Sequence, residues 1–200
     1  MVSANTNFTI DGDLVFKTRQ AKKQIVLLNT GYPIDDFLTK IKSRFNKKYN
    51  KIPAYTIDRS GILYQHYDPK NYSQLFDKDE LNRIAIPIAI ENVGWLEHHK
   101  ESNAYLDWRG IKYGGVVIET NWRGKKLWAD YTDEQMAVLF ELINYLCIEY
   151  SIEKNFIGNN VLAHKPMNFK GILNRSNFSK NHYDLTPAFD FEKLTKLINN

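Results

Sequence analysis

The stretch Ile25-Val26-Leu27-Leu28-Asn29-Thr30-Gly31 (IVLLNTG) runs four apolar residues straight into a polar, turn-forming end. A short continuous apolar run of this kind reads as a strand buried on both faces, its tip opening onto a loop. We place the strand at 24–29. A second run, RIAIPIAIEN (83–92), is β-branched and almost wholly apolar, and it stops abruptly at Glu91-Asn92. It reads as another central strand. AYTIDRSGILYQHYD (54–68) reads as strand, turn and strand, with Arg59-Ser60-Gly61 as the turn.

Helical patterns lie between these runs. Pro33-Ile34-Asp35-Asp36 opens a helix whose apolar stripe is Ile34, Phe37, Leu38, Ile41 and Phe45, closing in a basic turn at Lys47-Lys48. Thr132-Asp133-Glu134-Gln135 is a capping-box pattern. It starts a helix with Met136, Leu139, Phe140, Ile143, Leu146 and Cys147 on one face. A last short helix spans 190–198. Alternating strands and helices predict an α/β fold, a mixed, mostly buried central β-sheet flanked by helices. Residues 1–22 read as a polar lead-in with a hairpin around Asp11-Gly12-Asp13. A short strand around Val161-Leu162-Ala163 leads to His164. Residues 93–131 read as a long, irregular, aromatic-rich insertion holding Trp95, Tyr105, Trp108, Tyr113, Trp122 and Trp128.

The composition narrows the classes. A chain of 200 residues with no repeat and no low-complexity linker suits one domain, 1–200. The net charge of +4 is spread through interleaved residues, and pairs such as Lys125-Lys126 are short, so no nucleic-acid partner is expected. The single cysteine, Cys147, excludes an intrachain disulfide and a multi-cysteine zinc site. No apolar run approaches the ~18–20 residues of a membrane span. The N-terminus has neither the basic start nor the apolar centre of a signal peptide, so synthesis in the cytoplasm is expected.

Three residues that carry chemistry close apolar segments: Glu91 after IPIAI, His164 after VLA, and Asp184 before LTPAF. A neutral imidazole and a carboxylate suit zinc, and a second carboxylate suits a general base. Such a residue at a strand end is more often simply hydrogen-bonded or solvated.

The order of these segments resembles the type-2 N-acetylmuramoyl-L-alanine amidases and the peptidoglycan recognition proteins that share their fold. IVLLNTG stands where the family's first strand ends in histidine. YTIDRSGILYQ, IAIEN, YTDEQMAVLFELINYLCIEY, LAHKPM and DLTPAFDFEKL follow in the family's order. The resemblance implies a zinc enzyme cleaving the bond between muramic acid and L-alanine, with His164 and Asp184 as metal ligands and Glu91 as base. It also puts Leu28 in the slot of the first zinc-binding histidine. Pro53 and Ala54 replace a Tyr-His pair, Gln74 or Leu75 falls in a groove histidine slot, and His182 falls in an oxyanion-assisting slot. Trp95, Tyr105, Trp108 and Gln74 are the implied substrate-binding residues.

A leucine cannot donate to zinc. The expectation is therefore a domain without bound zinc or hydrolysis that still recognises peptidoglycan fragments. Three functions stay open. They are a degenerate amidase kept as a binding module, an active enzyme whose zinc site is repaired by His66 or His182, and a protein–protein part of a phage or phage-tail-like assembly delivered to the envelope.

Overall fold

The computed structural model describes residues 3–10, 12–47 and 50–199, and of residues 44–47 the backbone alone. In chain order the elements are β1 (Ala4–Asn5), β2 (Gln24–Asn29), α1 (Ile34–Lys47), β3 (Tyr55–Ile57), β4 (Leu63–Gln65), α2 (Asp79–Ile84), β5 (Ala85–Ile90), β6 (Trp95–His99), β7 (Ala104–Asp107), β8 (Val117–Trp122), β9 (Lys125–Ala129), α3 (Asp133–Glu149), β10 (Gly171–Asn174) and α4 (Phe191–Asn199). Among the described residues the main sheet has the order β1-β4-β3-β5-β2-β10. Only the β3–β4 hairpin is antiparallel. The expected mixed sheet flanked by helices is what forms. β2 and β5, the two apolar runs, pair at its centre, and all their residues are buried. Helices cover the sheet, so both sets of alternating side chains leave water.

Local chemistry explains the helices. The Thr132 Oγ1 accepts from the Gln135 N–H at 3.1 Å, and the Gln135 Oε1 accepts from the Thr132 N–H at 3.0 Å. The capping box therefore closes on both sides, and the expected stripe of α3 packs on the core. In α1, Phe37, Leu38 and Ile41 are buried. The side chains of Phe45 and Lys47, and the whole of Lys48, lie outside what is described. Asp190 begins α4 by accepting from the Lys193 N–H at 2.9 Å. Ahead of β5, residues 79–84 form α2, so the apolar run starts as helix and becomes strand only at Ala85.

Three expectations are corrected. Residues 93–131 are not irregular: β6 to β9 make a separate antiparallel sheet of order β7-β6-β9-β8. Its strands are half exposed, so they lack the apolar runs of the main sheet. The turn joining β8 to β9 is Arg123-Gly124, with φ of 48° and 78°, where Asn-Gly or Asp-Gly would have signalled a hairpin. The lead-in makes no hairpin of its own. Asp11 is outside the described residues, Gly12–Val15 form a turn, and the flanking segments pair elsewhere, Ala4–Asn5 with β4 and Phe16 with Tyr72.

The strand placed at 161–163 is loop, with Val161 and Leu162 exposed. The edge strand is instead β10, whose Ile172 and Leu173 are fully buried. β10 begins at Gly171 because the chain at 153–157 crosses it closely. A Cβ there would lie 2.2 Å from the Asn155 carbonyl oxygen, at a φ of +124°. Gly171→Ala is expected to cost roughly 2–4 kcal/mol in a urea melt. Gly12→Ala, at positive φ but in open space, is expected to cost only about 1 kcal/mol.

Candidate functional site

β5, β2 and β10 are parallel, so their C-terminal ends share one edge of the sheet. In open α/β sheets, ligands bind outside such ends. The register sets Leu27 opposite Asn174. Arg175, the next residue, opens a turn at the end of β10. The loop after β10 then returns Asp184 to this edge. The Asp184 Oδ1 accepts from the Asn29 N–H at 2.6 Å, and its Oδ2 accepts from the Arg175 Nε at 2.5 Å. Both residues are largely screened from water, with Arg175 24% and Asp184 4% exposed in their side chains.

Neighbours hold this pair. Arg123, from the β8–β9 turn, donates to the His182 carbonyl at 2.5 Å and to the Ser176 carbonyl at 3.3 Å. The Tyr131 hydroxyl donates to the Asn29 Oδ1 at 2.7 Å and accepts from the Thr186 N–H at 3.3 Å. Burial pushes the Tyr131 pKa well up, so the hydroxyl stays protonated.

A cleft of about 180 Å³ opens at the tip of β2, lined by Asn29, Trp95, Arg175, His182, Tyr183 and Asp184 among others. Trp95 lies under the ammonium of Lys125, 3.4 Å from the ring centre. His182 faces the Ser179 hydroxyl through Nδ1 at 2.6 Å. Burial, then the charge of Arg175, lowers its pKa. His164 is not in this cleft. It stands exposed in the loop before β10, which is tied down through Ala163 N–H to the Asn177 carbonyl at 2.6 Å.

Glu91 is turned elsewhere. Its Oε1 accepts from the Ile34 N–H at 3.0 Å and its Oε2 from the Arg59 N–H at 2.8 Å. The carboxylate thus satisfies an orphan amide at the start of α1, where the helix dipole favours an anion. Burial raises its pKa, and those two amides oppose the rise. Glu91 faces a second cleft, of about 250 Å³, beside Arg59, Arg109 and Tyr113. Asn92 and Val93 are common to both clefts. Glu91 and Asp184 therefore sit on neighbouring clefts rather than across one.

The other expected residues are scattered. Trp108 donates through Nε1 to the Gly31 carbonyl at 2.9 Å and meets Tyr32 edge-on, pinning the small sheet to the loop after β2. Tyr105 is exposed against His98, and Gln74 is exposed outside these clefts. His66 is fully buried, its Nε2 2.8 Å from the Thr56 Oγ1 and its Nδ1 3.1 Å from the Phe8 carbonyl. It is not free to turn towards Asp184.

A zinc ion does not fit this donor set as it stands. Leu28 offers no lone pair, both Asp184 oxygens have protein donors, and a guanidinium occupies the cation's side of the carboxylate. Among the described residues, no three His, Cys, Asp or Glu side chains gather as a metal set. Arg175 was missed in the sequence. The signal was GILN-Arg175, an apolar run ending in a polar residue like IVLLN, nine positions before Asp184.

No family model and no curated protein matches the sequence. Solved structures do. LysC, an N-acetylmuramoyl-L-alanine amidase from Clostridium intestinale, aligns over 99% of this chain and 96% of its own, at 14% identity and a TM-score of 0.55. This chain has the amidase fold. AmpDh3 from Pseudomonas aeruginosa, solved with an anhydromuramic pentapeptide, aligns over 98% of this chain and 66% of its own, at 13% identity and TM-score 0.57. AmiD from E. coli, solved with the substrate anhydro-N-acetylmuramic acid-L-Ala-D-gamma-Glu-L-Lys, gives 14% identity and TM-score 0.54. The chain aligns over 90% of its own length there and spans 60% of AmiD. At such identities the likeness speaks for the amidase fold. No helix among the described residues is long and apolar enough to cross a membrane.

Proposed function

We propose that this amidase-fold chain binds peptidoglycan fragments without hydrolysing them. One observation carries the reading. The Asp184 carboxylate, which the resemblance implies as a zinc ligand, is paired with Arg175 at 2.5 Å beside a buried Leu28. A guanidinium already supplies the positive charge there, so zinc would have to displace it and still find two more donors. Trp95 and Tyr183 line the cleft with aromatic side chains, a surface chemistry suited to a sugar. The ligands named for AmiD and AmpDh3 make anhydromuramyl peptides the first to test.

The test joins metal analysis with binding. The purified protein is expected to carry no stoichiometric zinc, to release no stem peptide from sacculi, and to bind anhydromuramyl tripeptide in calorimetry. Near-stoichiometric zinc with released peptide would make it an active amidase. Leu28→His alone is expected to gain little zinc affinity, because Arg175 stays on Asp184. Leu28→His with Arg175→His is expected to gain it.

A second reading draws on the small sheet, where Tyr105 of β7 and Trp108, Ile111 and Val116 of the segment joining β7 to β8 are exposed. A surface of this kind suits a protein partner within a larger assembly. Failure to bind both sacculi and muropeptide would favour it.

A further inference from the structure

A cavity of about 330 Å³ lies beside the β2-tip cleft and shares Arg175 and His182 with it. Its apolar lining comes from Leu75, Phe76, Leu81 and Phe178. Phe76 and Phe178 meet edge to face, with ring centres 5.5 Å apart. Charged groups from three segments border it. Lys51 and Asp77 pair with each other at 3.3 Å, and Arg175 pairs with Asp184 at 2.5 Å. Lys78 lines the cavity with no ion-pair partner among the described residues. The border thus carries one uncompensated positive charge over an aromatic and aliphatic floor.

We propose that this cavity binds a monocarboxylate carried on a compact apolar body, such as an aromatic ring. Its volume lies at the small end of known ligand sites, which suits one ring and a short arm. Arg175 spends its Nε on Asp184, and its two terminal nitrogens have no partner among the described residues. Planar terminal N–H groups match the two oxygens of a carboxylate. Lys78 supplies the net charge that a monoanion balances. A doubly charged phosphate would leave one charge unmatched. The carboxylate can belong to a free small acid or to the C-terminal residue of a peptide, and both present the same chemistry. The proposal does not rest on muropeptide binding, which concerns the cleft at Trp95 and Tyr183, although the two sites share Arg175 and His182.

The probes are 3-phenylpropionate, its neutral amide 3-phenylpropanamide, and N-acetyl-L-phenylalanine, titrated into the full chain and followed by NMR. The acid is expected to shift the signals of Phe76, Leu81 and Phe178, and to bind on the order of ten-fold more tightly than the amide. Lys78→Met is expected to weaken the acid roughly three- to ten-fold and leave the amide unchanged. Lys78 is exposed at the start of α2, so the variant is expected to fold. N-acetyl-L-phenylalanine binding as well as the free acid would mark a peptide C-terminus as the source, and weaker binding a free acid. Equal binding of acid and amide would overturn the proposal. So would shifts confined to Trp95 and Tyr183, or no binding of either compound at about 10 mM.

Discussion

Arg175→Met is expected to be among the most destabilising single changes in this chain, at about 3 kcal/mol in a urea melt. The cost arises from what the variant leaves behind. Asp184, 4% exposed in the native chain, would lose its cation, and among the described residues the Asn29 N–H alone would still donate to its carboxylate. The value sits at the low end for breaking a buried pair because Arg175 keeps part of its surface in water. Adding Asp184→Asn is expected to restore most of the loss, since an amide oxygen still accepts from Asn29 and no charge is stranded. A double-mutant cycle on these two positions would measure the coupling. If Arg175→Met costs less than about 0.5 kcal/mol, the pair is an ordinary surface contact that a zinc ion at Asp184 could displace.

Acid is expected to destabilise the protein through His66. This side chain is fully buried between Thr56 and the Phe8 carbonyl, and burial pushes its pKa down from 6.5 to about 4. The short approach of Nδ1 to a carbonyl fixes the proton on that nitrogen, leaving Nε2 to accept from the Thr56 hydroxyl. Unfolded His66 takes up a proton near pH 6.5, and folded His66 only near pH 4. Between those values the unfolded chain holds more protons, so stability falls as the pH falls. The loss amounts to about 3 kcal/mol across the window and is complete below it. Above pH 6.5 this group adds no slope. His66→Gln keeps a donor and an acceptor in place and is expected to start less stable at pH 7 but to lose much less between pH 6.5 and 4. Parallel slopes for the two proteins would show that His66 is not the group responsible.

Legibility differed sharply between elements. β2 and β5 were readable because a strand covered on both faces must be apolar throughout, and IVLL and AIPIAI have no other comfortable state. The start of α3 was readable because a capping box uses residues three apart, which contact each other whatever surrounds them. The small sheet was not readable, because strands with one face in water need few apolar residues and its connecting turn lacks the usual residue pair. β10 was misplaced for a related reason. VLA and ILN are both short apolar runs, and what separates them is the chain at 153–157, which crosses at Gly171 and covers the second alone.

The candidate site divides along the same line. The sequence by itself determined that Leu28 stands one residue before the end of a buried strand, that Asp184 is a carboxylate beside an apolar segment, and that no cysteine set can hold a metal. These follow from residue type and order. Only the tertiary structure decided what stands beside Asp184. The register of β10 against β2, a contact between residues about 150 apart in the chain, brings Arg175 to that carboxylate and leaves His164 in water. The same folding turns Glu91 to the amides of Ile34 and Arg59. A side chain's type limits what it can do, but its partners depend on which backbone segments pair, and that is fixed by burial across the whole sheet rather than by neighbours in sequence.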